Sequence, residues 1–374
     1  NVVSEEILTD HPDRMRAVWV DSSNPVHAFA GTQDMAKALR ATDLTVVVDI
    51  AMTETAMEAD YVLPAANQFE KAELSMFNFE FPHNVLQMRH PVFTAPETVL
   101  PEPEIHARLC EALGVIPDEV ITTLNDALSK GEEVFGARFN EIMSEQPSLA
   151  KLAPVILYRT LGNALPKGMA AGAAYMPVCI DLAFKNPEAL QAAGHKGQGV
   201  ELGMNLFRAL VSTPSGIDLS VEPYDASFKR LGHADKKIHL LLPEMIPELH
   251  ALADGFKPLT SDEFPFVLSC GERRDYTANG IYRDPNWKKK DYDGALRMSP
   301  ADAESLGVET GDKVIVNTRL GVGEATVVVN DRMMPGHMSI PNGGGLTNNL
   351  GTDKPLERVG ISANELTPVD HRDF

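Results

Sequence analysis

A strand, loop, helix and strand pattern near the N-terminus constrains the fold more than any other feature of the sequence. An apolar run at 17–20 precedes a polar turn at 22–25, a helical stretch follows at 33–41, and a second apolar run covers 44–50. The second run is rich in valine and apolar on both faces, as expected of a strand in a parallel sheet with helices on both sides. These segments predict a βαβ unit.

The α/β pattern continues beyond this unit. A short helix is predicted at 52–59 and a strand at 61–64, ended by a proline. In a parallel sheet, ligands collect beyond the carboxyl ends of the strands, where loops and helix N-termini supply backbone donors. Asn24 and Asp49 follow two such ends, so both are candidate ligand contacts. The alternative is that Asn24 only forms a turn and Asp49 only caps the following helix.

Three parts are predicted along the chain. Residues 1–116 form an α/β, Rossmann-like domain with a parallel sheet, and 117–262 form a helical and mixed middle segment. Residues 263–374 are rich in β patterns, which predict a small β-barrel. The elements predicted in the two later parts are helices at 119–130, 187–193, 202–211 and 300–305 and strands at 266–269, 313–318 and 324–330.

Charge and cysteine content argue against several classes of function. The 374 residues hold 33 Lys plus Arg and 53 Asp plus Glu, and this net charge of −20 repels nucleic acid and anionic lipid surfaces. No apolar run reaches the roughly 18 to 20 residues of a membrane span, so no membrane insertion is expected. Cys110, Cys179 and Cys270 are widely spaced, which argues against an iron–sulfur or zinc site built from this chain alone. Sparse cysteines favour a reducing, cytoplasmic location, with the periplasm left open.

Polar residues after the predicted strand at 266–269 form a second candidate site. Two arginines in this loop suit an anionic ligand, or they pair with the neighbouring acids. Asn342, in a Pro-Asn-Gly-Gly-Gly run, offers bare backbone to a ligand or belongs to a flexible turn. Lys71 either meets a phosphate or is a solvated surface lysine. The loop consists of Cys270, Gly271, Glu272, Arg273, Arg274, Asp275, Tyr276, Thr277, Ala278 and Asn279.

Short motifs at both ends of the chain occur in a fixed order. At the N-terminal end they are Trp-Val-Asp-Ser-Ser-Asn-Pro at 19–25, Val-Val-Val-Asp at 46–49, Thr-Glu-Thr-Ala at 53–56, Ala-Asp-Tyr-Val-Leu-Pro-Ala-Ala at 59–66 and Glu-Lys at 70–71. At the C-terminal end they are Gly-Glu-Arg-Arg at 271–274, Ala-Leu-Arg-Met-Ser-Pro-Ala-Asp-Ala at 295–303, Leu-Gly-Val-Glu-Thr-Gly-Asp at 306–312 and Pro-Gly-His-Met-Ser-Ile-Pro-Asn-Gly-Gly-Gly at 335–345. In this order and spacing the motifs resemble the molybdopterin oxidoreductases of the dimethyl sulfoxide reductase family, which includes formate dehydrogenases and nitrate reductases.

The resemblance implies a fold, a cofactor and roles for residues. The tail would be a barrel of the double-psi type, and the cofactor a bis-molybdopterin guanine dinucleotide that carries molybdenum or tungsten. Asp49 would read the guanine and Lys71 would face its phosphate and sugar. No residue of this chain is implied to be catalytic or to ligate the metal. The residues implied to hold the cofactor are Asn24, Val48, Asp49, Lys71, Glu104, the loop from Cys270 to Asn279, Asn342 and Asn364.

The chain also departs from the family pattern. After Glu70 and Lys71, many members have an acidic-glycine-threonine stretch and then a basic pair, whereas 72–75 reads Ala-Glu-Leu-Ser and 77–82 reads Phe-Asn-Phe-Glu-Phe-Pro. By resemblance, the metal ligand and a 4Fe-4S cluster belong to an N-terminal part outside this sequence. The chain is therefore expected to be the C-terminal half of an enzyme, whose partner is that missing half or an electron-transfer subunit.

The expected function is cofactor binding within an oxidoreductase of a formate-dehydrogenase-like kind. Its reaction would be two-electron redox chemistry or oxygen-atom transfer on a small molecule, with electron transfer through the cluster. Two alternatives remain open. The chain is a cofactor-free scaffold subunit of the same fold, as in the large cluster-bearing subunit of respiratory complex I, or it is a stand-alone nucleotide-binding protein.

Overall fold

The computed structural model describes residues 2–75, 80–253, 255, 259–271, 294–348 and 357–367. Over these residues the chain is a mixed α/β protein, as the sequence predicts, and it divides into two units. The first unit combines Asn1–Pro64 with Met245–Phe374, and the second is Ala65–Glu244. The three-part division drawn from the sequence stays a prediction.

The described residues form thirteen strands and thirteen α-helices. The described strands are β1 (Ala17–Asp21), β2 (Leu44–Asp49), β3 (Tyr61–Pro64), β4 (Glu73–Ser75), β5 (His83–Arg89), β6 (Ile217–Val221), β7 (Val267–Gly271), β8 (Leu296–Met298), β9 (Lys313–Asn317), β10 (Val322–Val329), β11 (His337–Pro341), β12 (Leu346–Asn348) and β13 (Glu357–Val359). The described helices are α1 (Val3–Leu8), α2 (Pro25–Ala28), α3 (Thr32–Arg40), α4 (Glu102–Ala112), α5 (Asp118–Ser129), α6 (Glu132–Glu145), α7 (Ala153–Arg159), α8 (Met176–Lys185), α9 (Pro187–Ala192), α10 (Gly199–Ser212), α11 (Ile246–Ala253), α12 (Pro300–Leu306) and α13 (Ala363–Leu366).

The N-terminal sheet of the first unit is parallel, with the strand order β1-β2-β3. The central strand β2 is buried on both faces, and the side chains of Val47 and Val48 are fully buried. Helix α3 connects β1 to β2 and buries Met35, Ala38 and Leu39. The predicted βαβ unit is thus confirmed, because an apolar strand paired on both sides needs cover on both faces.

The helix predicted at 52–59 is wrong, since only the 3-10 turn Ala56–Glu58 forms there. The hydroxyl of Thr53 accepts a hydrogen bond from the backbone N–H of Ala56 at 3.1 Å. The hydroxyl of Thr55 is engaged with Asn24 and Val26. The Thr53 hydroxyl therefore caps the start of this single turn, and the Thr55 hydroxyl ties the segment to residues after β1.

The C-terminal part of the first unit contains a five-stranded sheet of order β7-β11-β8-β10-β9. Its core is formed by residues such as Leu296, Val327 and Ile340. Helix α12 begins at the predicted position, where the Ser299 hydroxyl accepts from the N–H of Asp302, and it ends at Gly307 with φ 66°. Within the described residues β7 and β9 are edges of this sheet and β12 pairs only with β13, so the barrel prediction is not confirmed.

The last described segment, 357–367, packs closely on this sheet. A Cβ at Gly321 would lie 2.4 Å from the carbonyl oxygen of Glu365, and one at Gly323 would overlap the side chain of Ile361. The hydroxyl of Thr318 donates to the carbonyl of Leu366 at 2.8 Å. Glycine at these two positions is therefore needed so that the segment can lie against β10.

The second unit has a helical core beside a small antiparallel sheet of order β4-β5-β6. Large buried side chains such as Phe135, Ile156 and Phe207 fill the core. Helices α5, α9 and α10 lie close to the positions predicted from the sequence, whereas the 3-10 turns between them were not predicted. No helix within the described residues combines the length and the apolar character that crossing a bilayer requires.

Replacing Gly203 by Ala should destabilise the second unit, because the added Cβ would lie 2.5 Å from the Cα of Ile180 where α10 packs on α8. Overpacking of this kind lowers the free energy of unfolding by about 1 to 3 kcal/mol. The measurement is urea unfolding followed by circular dichroism.

Gly136→Ala is the matched control, since Gly136 lies in α6 and a Cβ there meets nothing within 4 Å. Alanine in a helix interior raises stability by roughly 0.5 to 1 kcal/mol over glycine. An unchanged or raised stability of Gly203→Ala would contradict the close approach of the two helices.

Candidate functional site

Two of the predicted site residues, Asn24 and Asp49, lie at the carboxyl edge of the parallel sheet. Asp21 pairs with Val48 and Asp49 with Pro64, so the loops after β1 and β2 leave the sheet at the same edge. Asp49 is half-buried, and its Oδ1 accepts from the N–H of Ala51 at 3.1 Å. Residues 50–55, all of them described, form no helix, so this bond shapes the turn after β2 and is not the helix cap of the alternative interpretation.

A strained turn follows β1. Ser22 has a φ of 52°, a left-handed conformation that a residue with a Cβ rarely adopts. Its N–H donates to the carbonyl of Val48 at 3.0 Å, which ties the turn to β2. The Val48 side chain is fully buried, so only its main chain can face a ligand. Ser22 and Ser23 are exposed, and their hydroxyls lie on the turn itself.

The Asn24 amide is held by the loop after β2. Its Oδ1 accepts from the N–H of Thr55 at 3.1 Å and from the Thr55 hydroxyl at 2.7 Å. Its Nδ2 donates to Oε2 of Glu54 at 2.7 Å, and Glu54 is only 9% exposed. The Asn24 side chain therefore fixes the geometry of the turn, and its amide oxygen is already engaged within the protein.

Asn364, at the other end of the chain, contacts the same region. Its Nδ2 donates to the carbonyl of His27, the third residue of α2, at 2.7 Å. Its own carbonyl accepts from the N–H of Gly31 at 3.0 Å. Asn364 thus contacts the end of α2, the helix that begins directly after Asn24.

Three further predicted residues meet at a second pair of strand ends. Strands β7 and β11 are parallel, and Cys270 and Gly271 pair with Ile340 and Pro341. The N–H of Asn342 then donates to the carbonyl of Gly271 at 2.8 Å. The loop 272–279, from Glu272 to Asn279, follows this edge but lies outside the described residues.

The glycines after Asn342 serve the fold. A Cβ at Gly344 would lie 2.6 Å from the carbonyl oxygen of Ile361, and one at Gly345 would lie 2.5 Å from the nitrogen of Ser362. The N–H of Gly345 also donates to the carbonyl of Val359 at 2.8 Å. The bare backbone that the sequence offered to a ligand is thus occupied, at these two positions, by the 359–362 segment.

Lys71 lies in the second unit and is not the solvated surface lysine of the alternative interpretation. Its side chain is 14% exposed. Its ammonium group forms an ion pair with Glu102 and lies 3.8 Å from the Glu73 carboxylate. The cation predicted to face a phosphate is therefore paired with carboxylates of its own unit.

Glu104, also in the second unit, is the centre of an ion-pair network. Its carboxylate accepts from Arg159 at 2.6 Å and from Arg108 at 2.7 Å, and it also bonds to Tyr158. Burial raises the pKa of Glu104, but these hydrogen bonds outweigh burial and the net pKa is lowered. Burial and the Glu104 carboxylate raise the pKa of Tyr158 to about 12. These contacts hold α7 against α4.

Glu54 and Thr55 are the residues of this region that the sequence analysis did not single out as site residues. The sequence feature that marks these two residues is the Thr-Glu-Thr-Ala motif at 53–56, in the loop after β2. Glu54 is buried, and Thr55 is fully buried. Buried polar groups need partners, so a Thr-Glu-Thr run at a strand end indicates a hydrogen-bonded loop.

The cysteines and acids of the described residues form no metal centre. No group of three or more His, Cys, Asp or Glu side chains that could hold a metal occurs in this part of the chain. Cys179 is buried, and burial raises the pKa of its thiol to about 12, which makes it an inert core residue. Cys110 is half-buried and Cys270 is exposed.

Comparison with protein families matches both ends of the chain. The model of the molybdopterin oxidoreductase family matches residues 3–111, and that of the molydopterin dinucleotide binding domain matches residues 266–373. Both matches cover the segments in which the motifs occur. The chain therefore belongs to the molybdopterin oxidoreductases of the dimethyl sulfoxide reductase family, and the resemblance seen in the motifs is confirmed.

Characterised relatives are distant but match along most of the chain. The alpha subunit of F420-dependent formate dehydrogenase 2 of Methanococcus maripaludis is 25% identical over 90% of this chain and 39% of its own length. Dimethyl sulfoxide/trimethylamine N-oxide reductase of Rhodobacter capsulatus is 24% identical over 89% of this chain and 36% of its own length. The match to the solved structure of acetylene hydratase from Pelobacter acetylenicus covers 91% of this chain and 39% of the hydratase chain, with 19% identity and a TM-score of 0.49. This chain spans less than two fifths of the length of each.

Replacing Glu104 by Gln should lower the thermal unfolding temperature at pH 7 and flatten its fall in acid. The folded pKa of Glu104 lies below the ordinary value of 4.5, so its ionised form stabilises the fold above that pH. This stabilisation is lost as the pH falls through the lowered pKa. The measurement is the thermal unfolding temperature at pH values from 7 to 3. A loss of about 1 kcal/mol in the free energy of unfolding lowers this temperature by roughly 2 to 4 °C.

Glu97→Gln is the control, because Glu97 is an exposed loop residue and should leave the curve unchanged. An acid transition in Glu104→Gln as steep as in the wild-type protein would show that the Arg159 network does not govern it.

Proposed function

We propose that this chain holds a molybdopterin guanine dinucleotide within a molybdenum or tungsten oxidoreductase. The observation that carries the proposal is the carboxyl edge of β1 and β2, where Asp49 and the turn 21–24 follow neighbouring parallel strands. Ligands of open α/β sheets bind at this kind of edge. The match to a dinucleotide binding domain supports a molybdopterin cofactor.

The groups at this edge fit a nucleotide. A carboxylate such as Asp49 can accept the paired N–H groups of a guanine, and the exposed hydroxyl of Ser23 can donate to a sugar or phosphate oxygen. The Ser22 hydroxyl donates to Asp21 at 3.0 Å and can accept from a sugar hydroxyl. At the ends of β7 and β11, Gly271 and Asn342 lie side by side where the loop 272–279 begins. We assign that loop, with Cys270, to binding of the pterin and phosphates. The proposal also includes a double-psi barrel in the C-terminal part of the chain.

The reaction class is two-electron oxidation or reduction of a small molecule. When bound, the cofactor supplies a metal centre that exchanges electrons with the substrate. The residues of this chain bind and orient it, with Asp49 directed to the guanine and the turn 21–24 to the sugar side. Formate is the first substrate to test, because one relative is a formate dehydrogenase, and an S- or N-oxide is the second, because another is an oxide reductase.

The remaining parts of the proposed enzyme lie outside the described residues. We assign the metal ligand, a 4Fe-4S cluster and electron transfer to protein segments or subunits that this chain does not provide, since its relatives are more than twice as long. The relative named as an alpha subunit supports an assembly of several subunits. A reducing, cytoplasmic location is proposed on the three free cysteines.

Two observations favour a second candidate function, a cofactor-free scaffold of the same fold. Lys71 is paired with Glu102, and the Asn24 amide is engaged with Glu54 and Thr55. Both residues are thus satisfied by the protein itself, whether or not a cofactor binds. Cofactor content separates the two candidates.

Replacing Asp49 by Ala should lower the guanine nucleotide and metal content of the protein isolated from cells that make the cofactor. Loss of charge-assisted hydrogen bonds of about 1.5 to 3 kcal/mol weakens binding roughly tenfold or more. The measurements are molybdenum and tungsten by mass spectrometry and guanine nucleotide released by acid, each per polypeptide.

Asp43→Ala is the control, because Asp43 precedes the opposite end of β2, where it pairs with Arg16. Its cofactor content should equal that of the wild-type protein. Normal loading of Asp49→Ala would remove the assignment of Asp49, and wild-type protein without metal or guanine would favour the scaffold.

A further inference from the structure

Glu54 is a buried carboxylate beside the proposed nucleotide site. It is 9% exposed, and it accepts a 2.7 Å hydrogen bond from Nδ2 of Asn24. On its other side, the Asn24 amide oxygen accepts two bonds from Thr55. The amide therefore has one orientation, with its oxygen toward Thr55 and its nitrogen toward Glu54.

The same contacts fix helix α2, which follows directly. The Thr55 hydroxyl accepts from the N–H of Val26 at 3.0 Å, so the first turn of α2 is bonded to the loop after β2. At the other end of α2, Asn364 donates to the carbonyl of His27. With both ends of α2 held, the turn 21–24 has a fixed shape between β1 and α2.

Two features of this region are energetically unfavourable, namely the buried carboxylate of Glu54 and the backbone conformation of Ser22. A buried charge is expensive unless it is paired and hydrogen-bonded, and an apolar residue fills such a position more cheaply. Ser22, two residues before Asn24, has a left-handed φ of 52°. Strained backbone of this kind persists only where the surrounding structure over-determines it, and it clusters at ligand sites. The exposed hydroxyls of Ser22 and Ser23 lie on this strained turn, directly before the amide that Glu54 holds.

The chain contains a second pair built in the same way. Asn186 precedes α9, which begins with a proline as α2 does, and its Nδ2 donates to Oε1 of Glu222 at 2.9 Å. Glu222 is 5% exposed. This pair lies in the second unit, at a place where no cofactor residue is proposed. Variants of this pair therefore report the loss of stability that follows when an asparagine–glutamate pair is broken, at a place with no proposed nucleotide site beside it.

We propose that Glu54 is a positioning residue for the nucleotide. It holds the Asn24 amide so that the turn 21–24 keeps the shape that receives the sugar and phosphate side of a guanine nucleotide. Asn24 acts through the turn and its side chain does not touch the ligand. This inference rests on the proposed function, since it concerns the same edge of the sheet.

The test compares four variants of the protein isolated from cofactor-producing cells: E54L, E54Q, N24D and the double variant N24D/E54Q. E54L removes the Glu54 acceptor of the half-buried Asn24 Nδ2, and N24D sets two carboxylates against each other, so both should lower guanine nucleotide per polypeptide about tenfold. E54Q keeps an acceptor oxygen and should stay near the wild-type content. In N24D/E54Q the introduced amide donates to the introduced carboxylate, so the content should return.

The control variants E222L and N186D should lower the thermal unfolding temperature as much as E54L and N24D, with unchanged guanine content. Wild-type content in E54L or in N24D would overturn the proposal. A double variant that regains its unfolding temperature and not its guanine content would also overturn it, because the Asn24 amide would then contact the nucleotide. If E54L does not fold, N24D and the double variant decide the question. Wild-type protein without guanine would instead refute the proposed function itself.

Discussion

The parallel pairing of β1 with β2 is the constraint on which the proposed site depends. Because the two strands run in the same direction, the turn 21–24 and the loop 49–55 leave the sheet at one edge and become neighbours. The hydrogen bonds of Asn24 with Glu54 and Thr55 join these two segments, and the N–H of Ser22 bonds to Val48 at the end of β2. An antiparallel pairing would place the two segments at opposite ends of the sheet.

Satisfied polar groups explain much of how this region is built. The family resemblance implies that Asn24, Lys71 and Glu104 hold the cofactor. In the structure each of them has protein partners at hydrogen-bond or ion-pair distance. Buried polar side chains need such partners in any state of the protein. The proposed nucleotide site therefore lies on an internally bonded frame, and Asp49, exposed hydroxyls and loop backbone are the groups we propose to contact the ligand.

The sequence predicted the elements with simple periodicity and missed those set by side-chain contacts. The β-branched run of β2 predicted a buried parallel strand, and the helix predicted at 300–305 corresponds to α12. The segment 52–59 has helix-forming residues but forms only one 3-10 turn, and Thr55 within it is bonded to Asn24 and Val26, 31 and 29 residues away along the chain. Neither the 359–362 segment against Gly344 nor the Glu54 contact is encoded in a local pattern, because each joins residues that are distant along the chain.

The contact of Asn364 with His27 has a consequence for the order in which the protein takes shape. The two residues are 337 positions apart, and chain synthesis proceeds at about 5 to 20 residues per second. Roughly 15 to 70 seconds therefore pass between the synthesis of α2 and the arrival of the residue that holds its end. During that interval the end of α2 lacks the hydrogen bond from Asn364, so this part of the fold is completed only after residue 364 has been synthesised.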